Sequence, residues 1–132
     1  MQRVKFKDLG VIDYQSAWDM QEGLLQKNVA LKSAARKENP SYDVKQLNTE
    51  HHLLFCEHPP VYTLGKSGSI ENLLIDETDM EKRGIRFFNT NRGGDITFHG
   101  PAQIVGYPVF DLEKFYTDIG RYLRNVEEAV IT

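Results

Sequence analysis

The sequence predicts an α/β domain, on three observations. Apolar residues recur at helical spacing from Tyr14 to Leu31, and again from Phe115 to Val130. Between these stretches lie short apolar runs punctuated by proline and glycine: "HHLLFCEH", "VYTLG", "IRFFN", "DITFH" and "IVGYPVF". They read as strands. The length, 132 residues, fits one domain, and 40% apolar residues suffice for a packed core.

The elements follow in order. Val4 to Leu9 alternates as a short strand, and its lysines place it at a sheet edge. Asp13 is the expected N-cap of the first helix, because its carboxylate can accept from an orphan backbone N–H. Ile12 and Ala17 take the staple positions around that cap. Tyr14, Ala17, Trp18, Leu24, Leu25 and Leu31 then form one stripe facing a core, with Gly23 weakening the middle. Lys32 to Glu50 turns polar and reads as a surface loop. His52 to Glu57 is a buried strand stopped by Pro59 and Pro60, which cannot donate to a ladder. "VYTLG" extends beyond it, and "GKSGSIENLL" is a glycine-bearing loop. Asp76 to Arg83 suits a short helix closed by Gly84. After the "IRFFN" strand, Arg92-Gly93-Gly94 turns the chain, and "DITFH" with "IVGYPVF" predicts a hairpin around Gly100-Pro101. Thr117 to Thr132 is helical, with an apolar face at Phe115, Ile119, Leu123, Val126 and Val130. It carries no stop signal, so the expectation is a chain truncated within a longer domain.

Charge narrows the function classes. Sixteen basic and nineteen acidic residues leave a net charge of −3. Broad capture of nucleic acid needs a basic face that displaces counterions, so it is not expected. No run approaches the roughly 20 apolar residues of a membrane span, and "MQRVKFKDLG" lacks a signal-peptide core. The single cysteine, Cys56, cannot form an internal disulfide, which fits a reducing compartment. A cytoplasmic protein without nucleic-acid or membrane partners is the expectation.

The segment "RGGDITFH" carries the chemistry. Adjacent glycines can adopt positive φ and leave backbone N–H groups uncovered. Arg92 adds a permanent cation with a planar donor fork. Along the following strand Asp95, Thr97 and His99 share one face, and Ile96 and Phe98 the other. A polar rim opposite an apolar wall suits a ligand with an apolar tail and one polar head. The same residues also make an ordinary tight turn. His51, His52, His58 and His99 match no compact zinc spacing, and no metal site is expected. Glu57 beside His58 has the composition of an acid–base pair, but adjacency does not establish contact.

"RGGDITFHGPAQIVGYPVFDL", with "EHPPVYTLGKSG" upstream, resembles the N-terminal part of the octanoyl-[acyl carrier protein]:protein octanoyltransferases, the lipoate-protein ligase B family. "DLGVIDYQSAWDMQ" and "TDIGRYLRNVEEAVI" fit as well, so the resemblance spans nearly the whole chain. It implies a mixed sheet with flanking helices of the biotin/lipoate protein ligase kind, C-terminally truncated, with residues 1–132 a single incomplete catalytic domain. It implies transfer of an octanoyl or lipoyl group from acyl carrier protein to a lysine of lipoyl domains. The implied partners are octanoyl-acyl carrier protein and the lipoyl domains of 2-oxoacid dehydrogenases and of the glycine cleavage protein. No cofactor is implied. Arg92, Gly93, Gly94, Asp95, Ile96, Thr97, Phe98 and His99 become the implied substrate-binding positions.

The resemblance also implies a thioester-forming cysteine near Pro-Cys-Gly and a lysine in a Lys-Ile-Ala-like segment. Neither motif occurs in these 132 residues, so no catalytic residue is assigned and the chain alone is expected to be inactive. Cys56, within "LLFCEHP", reads as a buried core thiol. Lys66 reads as a solvated loop lysine, or as a contact to phosphate on the carrier's arm. Ala102 stands where the family commonly has glycine, which strains a turn that needs positive φ. Two other readings share the motifs: a non-catalytic module binding a carrier protein or lipoyl domain, and an ATP-dependent lipoate or biotin ligase relative. For carrier binding, Lys66, Arg83, Arg86 and Arg92 are the available local cations.

Overall fold

A computed structural model describes residues 1–131. In chain order the elements are β1 (Val4–Val11), α1 (Tyr14–Glu38), β2 (His51–Glu57), β3 (Val61–Leu64), α2 (Glu77–Lys82), β4 (Arg86–Asn89), β5 (Ile96–His99), β6 (Val105–Val109) and α3 (Ile119–Ile131). Thr132, the last residue of the predicted helix, lies outside the described residues.

The strands form two three-stranded sheets, each of mixed direction. In the first, β2 is central, parallel to β1 and antiparallel to β6. In the second, β3 is central, parallel to β4 and antiparallel to β5. β1 is an edge strand, as its lysines predicted. The expected β5–β6 hairpin does not form. β5 pairs with β3 and β6 with β2, so Gly100-Pro101 carries the chain from one sheet to the other. Local turn chemistry is the same for a hairpin and a crossing. Register with the central strands decides between them. His58-Pro59-Pro60 makes the other crossing, because neither proline can extend the β2 ladder.

The cap at α1 follows the sequence. Asp13 Oδ1 accepts from the Ser16 N–H at 3.0 Å. The helix runs on to Glu38, so the predicted loop from Lys32 begins too early. "KSAARKE" is rich in good helix formers, and polarity alone does not end a helix. Asn39 before Pro40 does, since proline disfavours helical backbone in the residue before it. Of the predicted stripe Ala17 is fully buried, but Leu25 and Leu31 are exposed. The buried polar residue Asn28 holds Glu50 instead, through Nδ2 to its carbonyl at 2.7 Å and Oδ1 from its N–H at 2.8 Å.

The segment before β2 is pinned further. The buried Asp111 carboxylate takes Lys32 Nζ at 2.5 Å and the Thr49 hydroxyl at 2.7 Å. Lys114 donates to the Leu47 carbonyl. Alternation in β2 buries Leu54 and Cys56 and turns Phe55 outward, where Phe6 meets it edge-on at 5.2 Å. The predicted apolar face of α3 is exposed at Ile119, Leu123, Val126 and Val130.

Candidate functional site: a braced glycine turn beside a buried aromatic cluster

The Arg92-Gly93-Gly94 turn leads into β5, and its conformation needs glycine. Gly94 has φ +85°, a region closed to most L-residues. The loop after β3 lies against it. A methyl group on Gly65 would stand 2.3 Å from the Gly94 carbonyl oxygen, so only glycine allows the approach. Gly65 N–H donates to the Asp95 carbonyl and Lys66 N–H to the Arg92 carbonyl, zipping the loop to the turn. The Asp95 carboxylate takes the Ser69 N–H at 3.2 Å and Asn72 Nδ2 at 2.5 Å.

The Arg92 side chain folds back into the protein. Its Nη2 lies 2.9 Å from the Thr63 carbonyl, 2.8 Å from Thr63 Oγ1 and 2.8 Å from the Asp95 carbonyl. Its Nη1 reaches the Gly93 carbonyl at 2.7 Å. The fork therefore braces the turn from behind. In front, Gly93 and Gly94 are exposed, and their N–H groups donate to no hydrogen bond among the described residues.

At its far end β5 enters a cluster built from both sheets and α1. The half-buried His99 ring stacks on Tyr14, 6.3 Å between centroids at 12°. His58, fully buried at the β2–β3 crossing, meets Tyr14 at 5.4 Å and His99 at 6.0 Å, both edge-on. Its Nδ1 is 2.7 Å from the Ile12 carbonyl, and its Nε2 is 2.7 Å from the Tyr107 hydroxyl. Burial pushes the His99 imidazole below its ordinary range, and the nearby His58 and Arg92 add to that. Burial pushes the Tyr14 phenol up, against the pull of Arg92. The site thus pairs a polar, donor-bearing turn with a cluster of aromatic and imidazole rings.

A family model described as "Lipoyl protein ligase A/B catalytic domain" matches residues 13–132. The chain belongs to this family. Octanoyltransferases lie among its similar curated relatives. That of Flavobacterium johnsoniae is 54% identical over 129 residues, covering 98% of this chain and 53% of its own. That of Solibacter usitatus is 45% identical over 131 residues, covering 99% and 52%. The chain spans about half the length of these relatives. In three dimensions a T. acidophilum protein described as a lipoate protein ligase matches with TM-score 0.55 at 18% identity, over 98% of this chain and 45% of that one. The same protein with bound lipoic acid matches with TM-score 0.51 at 17% identity. The lipoate ligase-like α/β fold expected from the motifs is the fold of this lipoyl protein ligase A/B domain.

Within this lipoyl protein ligase A/B chain, the eight predicted site positions are contiguous, but their roles divide. Gly93 and Gly94 form the open surface, Arg92 and Asp95 fasten it, and His99 belongs to the ring cluster. Phe98 lies across from Tyr62, rings 5.1 Å apart, on the face of the second sheet that also carries Ile96. Thr97 shares the opposite face with the buried Thr63, its register partner.

The other candidates sort as follows. Cys56 is buried, and burial raises its thiol pKa with Asp8 adding to the rise, the reverse of what a nucleophile needs. Glu57 and His58 do not pair, since Glu57 accepts from the Ala102 N–H at 3.1 Å and His58 bonds elsewhere. His51 is held by Gln2 and the Asp111 N–H, and His52 by Glu50. Among the described residues no three His, Cys, Asp or Glu side chains gather to hold a metal ion. Lys66 is exposed. Of the proposed cations, Arg92 is spent internally and Arg86 lies over the Phe88 ring at 5.9 Å. Ala102 does adopt positive φ, +69°.

Tyr14, His58 and Tyr107 were not among the sequence-based site residues. Tyr14 and Tyr107 sat inside elements correctly recognised, as a helix start and a strand interior, and His58 lay just past the strand that ends at Glu57. Nothing local pairs residues 14, 58, 99 and 107. The two proline-bearing sheet crossings bring them together.

Proposed function

We propose that this chain supplies the acyl-binding wall of a transferase that moves an octanoyl or lipoyl group from acyl carrier protein to a lysine of lipoyl domains. Those domains are the ones of 2-oxoacid dehydrogenases and the glycine cleavage protein. The observation that carries this reading is the pair of N–H groups of the exposed Gly93 and Gly94, uncommitted among the described residues, in a turn braced by Arg92. Preorganised backbone donors are what an acyl carbonyl needs as negative charge develops on its oxygen. Phe98 and Ile96, which share one face of β5, run along the apolar chain of the acyl group, and Thr97 and His99 contribute from the other face. The identity to octanoyltransferases supports the donor and the acceptor.

The thioester-forming cysteine is not Cys56 in this reading, so the 132-residue chain binds acyl donor without turning it over. Incubation with octanoyl-acyl carrier protein and a lipoyl domain, followed by mass spectrometry of all three proteins, tests this. The expected result is no octanoyl adduct on Cys56 and no modified lipoyl-domain lysine. An octanoyl adduct on Cys56 overturns the assignment of this chain as the wall alone.

A further inference from the structure

His58 has one lone pair available at Nε2 and two groups close to it. The Tyr107 hydroxyl stands at 2.7 Å, and the Cys56 thiol at 3.6 Å. On the other side of the ring Nδ1 faces the Ile12 carbonyl at 2.7 Å. A carbonyl oxygen only accepts, so in the neutral ring Nδ1 carries the hydrogen and Nε2 must accept. The shorter, oxygen donor takes that lone pair. Burial holds the Tyr107 phenol far above its ordinary pKa, which keeps it a neutral donor. His58 is fully buried, so an unpaired Nε2 would carry the cost of a polar atom stranded in the interior.

The arrangement links parts of the fold that share no ladder. Tyr107 lies on β6 of the first sheet, and His58 lies on the crossing to the second. His58 in turn meets Tyr14 and His99 edge-on, and these two stack at the end of the glycine-turn strand. We infer that Tyr107 is a positioning residue: its hydroxyl donates to His58 Nε2, locks that ring in one orientation and tautomer, and so holds the Tyr14–His99 stack in register with the glycine turn. Tyr107 touches no reacting atom. It acts through His58, and Cys56 is a bystander. The link to acyl transfer rests on the proposed function, but the hydrogen bond does not.

Long-range 1H–15N correlation spectra of the uniformly 15N-labelled chain test this, with Tyr107→Phe and Cys56→Ala as variants. In the unsubstituted chain His58 should show a protonated Nδ1. Its unprotonated Nε2 should be displaced from the free-acceptor position, and a slowly exchanging Tyr107 hydroxyl proton should show a cross-peak to the His58 ring. Tyr107→Phe should move Nε2 toward the free-acceptor position and shift the Tyr14 and His99 ring signals. Cys56→Ala should leave Nε2 in place. A His58 protonated at Nε2 in the unsubstituted chain overturns the inference, and needs no variant to fold. A response to Cys56→Ala without one to Tyr107→Phe also overturns it. Separately, Gly93 and Gly94 amides indifferent to an octanoyl thioester would count against the acyl wall and leave the Tyr107–His58 bond standing.

Discussion

Gly65 and Gly94 touch backbone to backbone: a Cβ on Gly65 would sit 2.3 Å from the Gly94 oxygen and 2.6 Å from that of Gly93. No atom there is the end of a flexible side chain that could swing aside. Gly65→Ala should therefore push the loop off the turn and destabilise the fold by about 1–3 kcal/mol, the usual cost of overpacking. Equilibrium urea unfolding reads this. Gly23→Ala is the control, since nothing lies within 4 Å of its Cβ position and the helix should gain about 1 kcal/mol.

Arg92 braces the same turn through Thr63, Gly93 and Asp95. Hydrogen bonds from a charged donor contribute about 1.5–3 kcal/mol where they are lost with partners left buried. Arg92→Ala should lower stability by about 2 kcal/mol. Arg92→Lys should recover little of it, because an ammonium cannot reach Thr63, Gly93 and Asp95 together as a planar fork does. Full recovery by lysine in thermal and urea unfolding would mean that charge, not geometry, holds the turn.

Ala102 occupies left-handed backbone at φ +69°. An L-residue there costs about 1–2 kcal/mol against a helical or extended conformation, and glycine avoids most of it at some entropic cost. Ala102→Gly should stabilise the chain by about 0.5–1 kcal/mol. It should preserve the bond from the residue-102 N–H to Glu57. Unchanged or lower stability would show that the turn's strain is relieved elsewhere.

Burial lowers the pKa of both His99 and His51 from the ordinary imidazole value of 6.5. A group with a depressed folded pKa binds fewer protons folded than unfolded, so its stabilisation is complete above the unfolded value and is lost as pH falls through the folded one. Stability should thus decline as pH drops below about 6.5. This precedes the loss from carboxylates such as Asp111, whose pKa is lowered from 3.8; burial opposes that shift, and the bonds from Lys32 and Thr49 outweigh it. His99→Asn should flatten the slope of stability against pH just below about 6.5. An unaltered slope would remove His99 from this account.

Much of the fold was legible because local rules govern it. Asp13 caps α1 through a bond three residues long, and Gly84 closes α2 at φ +64°. β2 was expected to be a buried strand, and Leu54 and Cys56 are buried in it while Phe55 is exposed. Strand partnership was not legible. β5 and β6 are neighbours in sequence joined by turn residues, yet each pairs with a strand more than thirty residues earlier. The glycine turn could be read from "RGGDITFH", but the inward fold of Arg92 could not. Its acceptors on Thr63 come from a strand whose place depends on the whole second sheet.

The central claim is that the Gly93 and Gly94 amides receive an acyl carbonyl. Titrating the 15N-labelled chain with an octanoyl thioester of pantetheine, and following backbone amides, tests it most directly. The account predicts saturable shifts at Gly93 and Gly94, extending along Thr97 to His99, that weaken in Arg92→Ala. Shifts confined to the exposed apolar face of α3, with the turn amides unmoved, would contradict it.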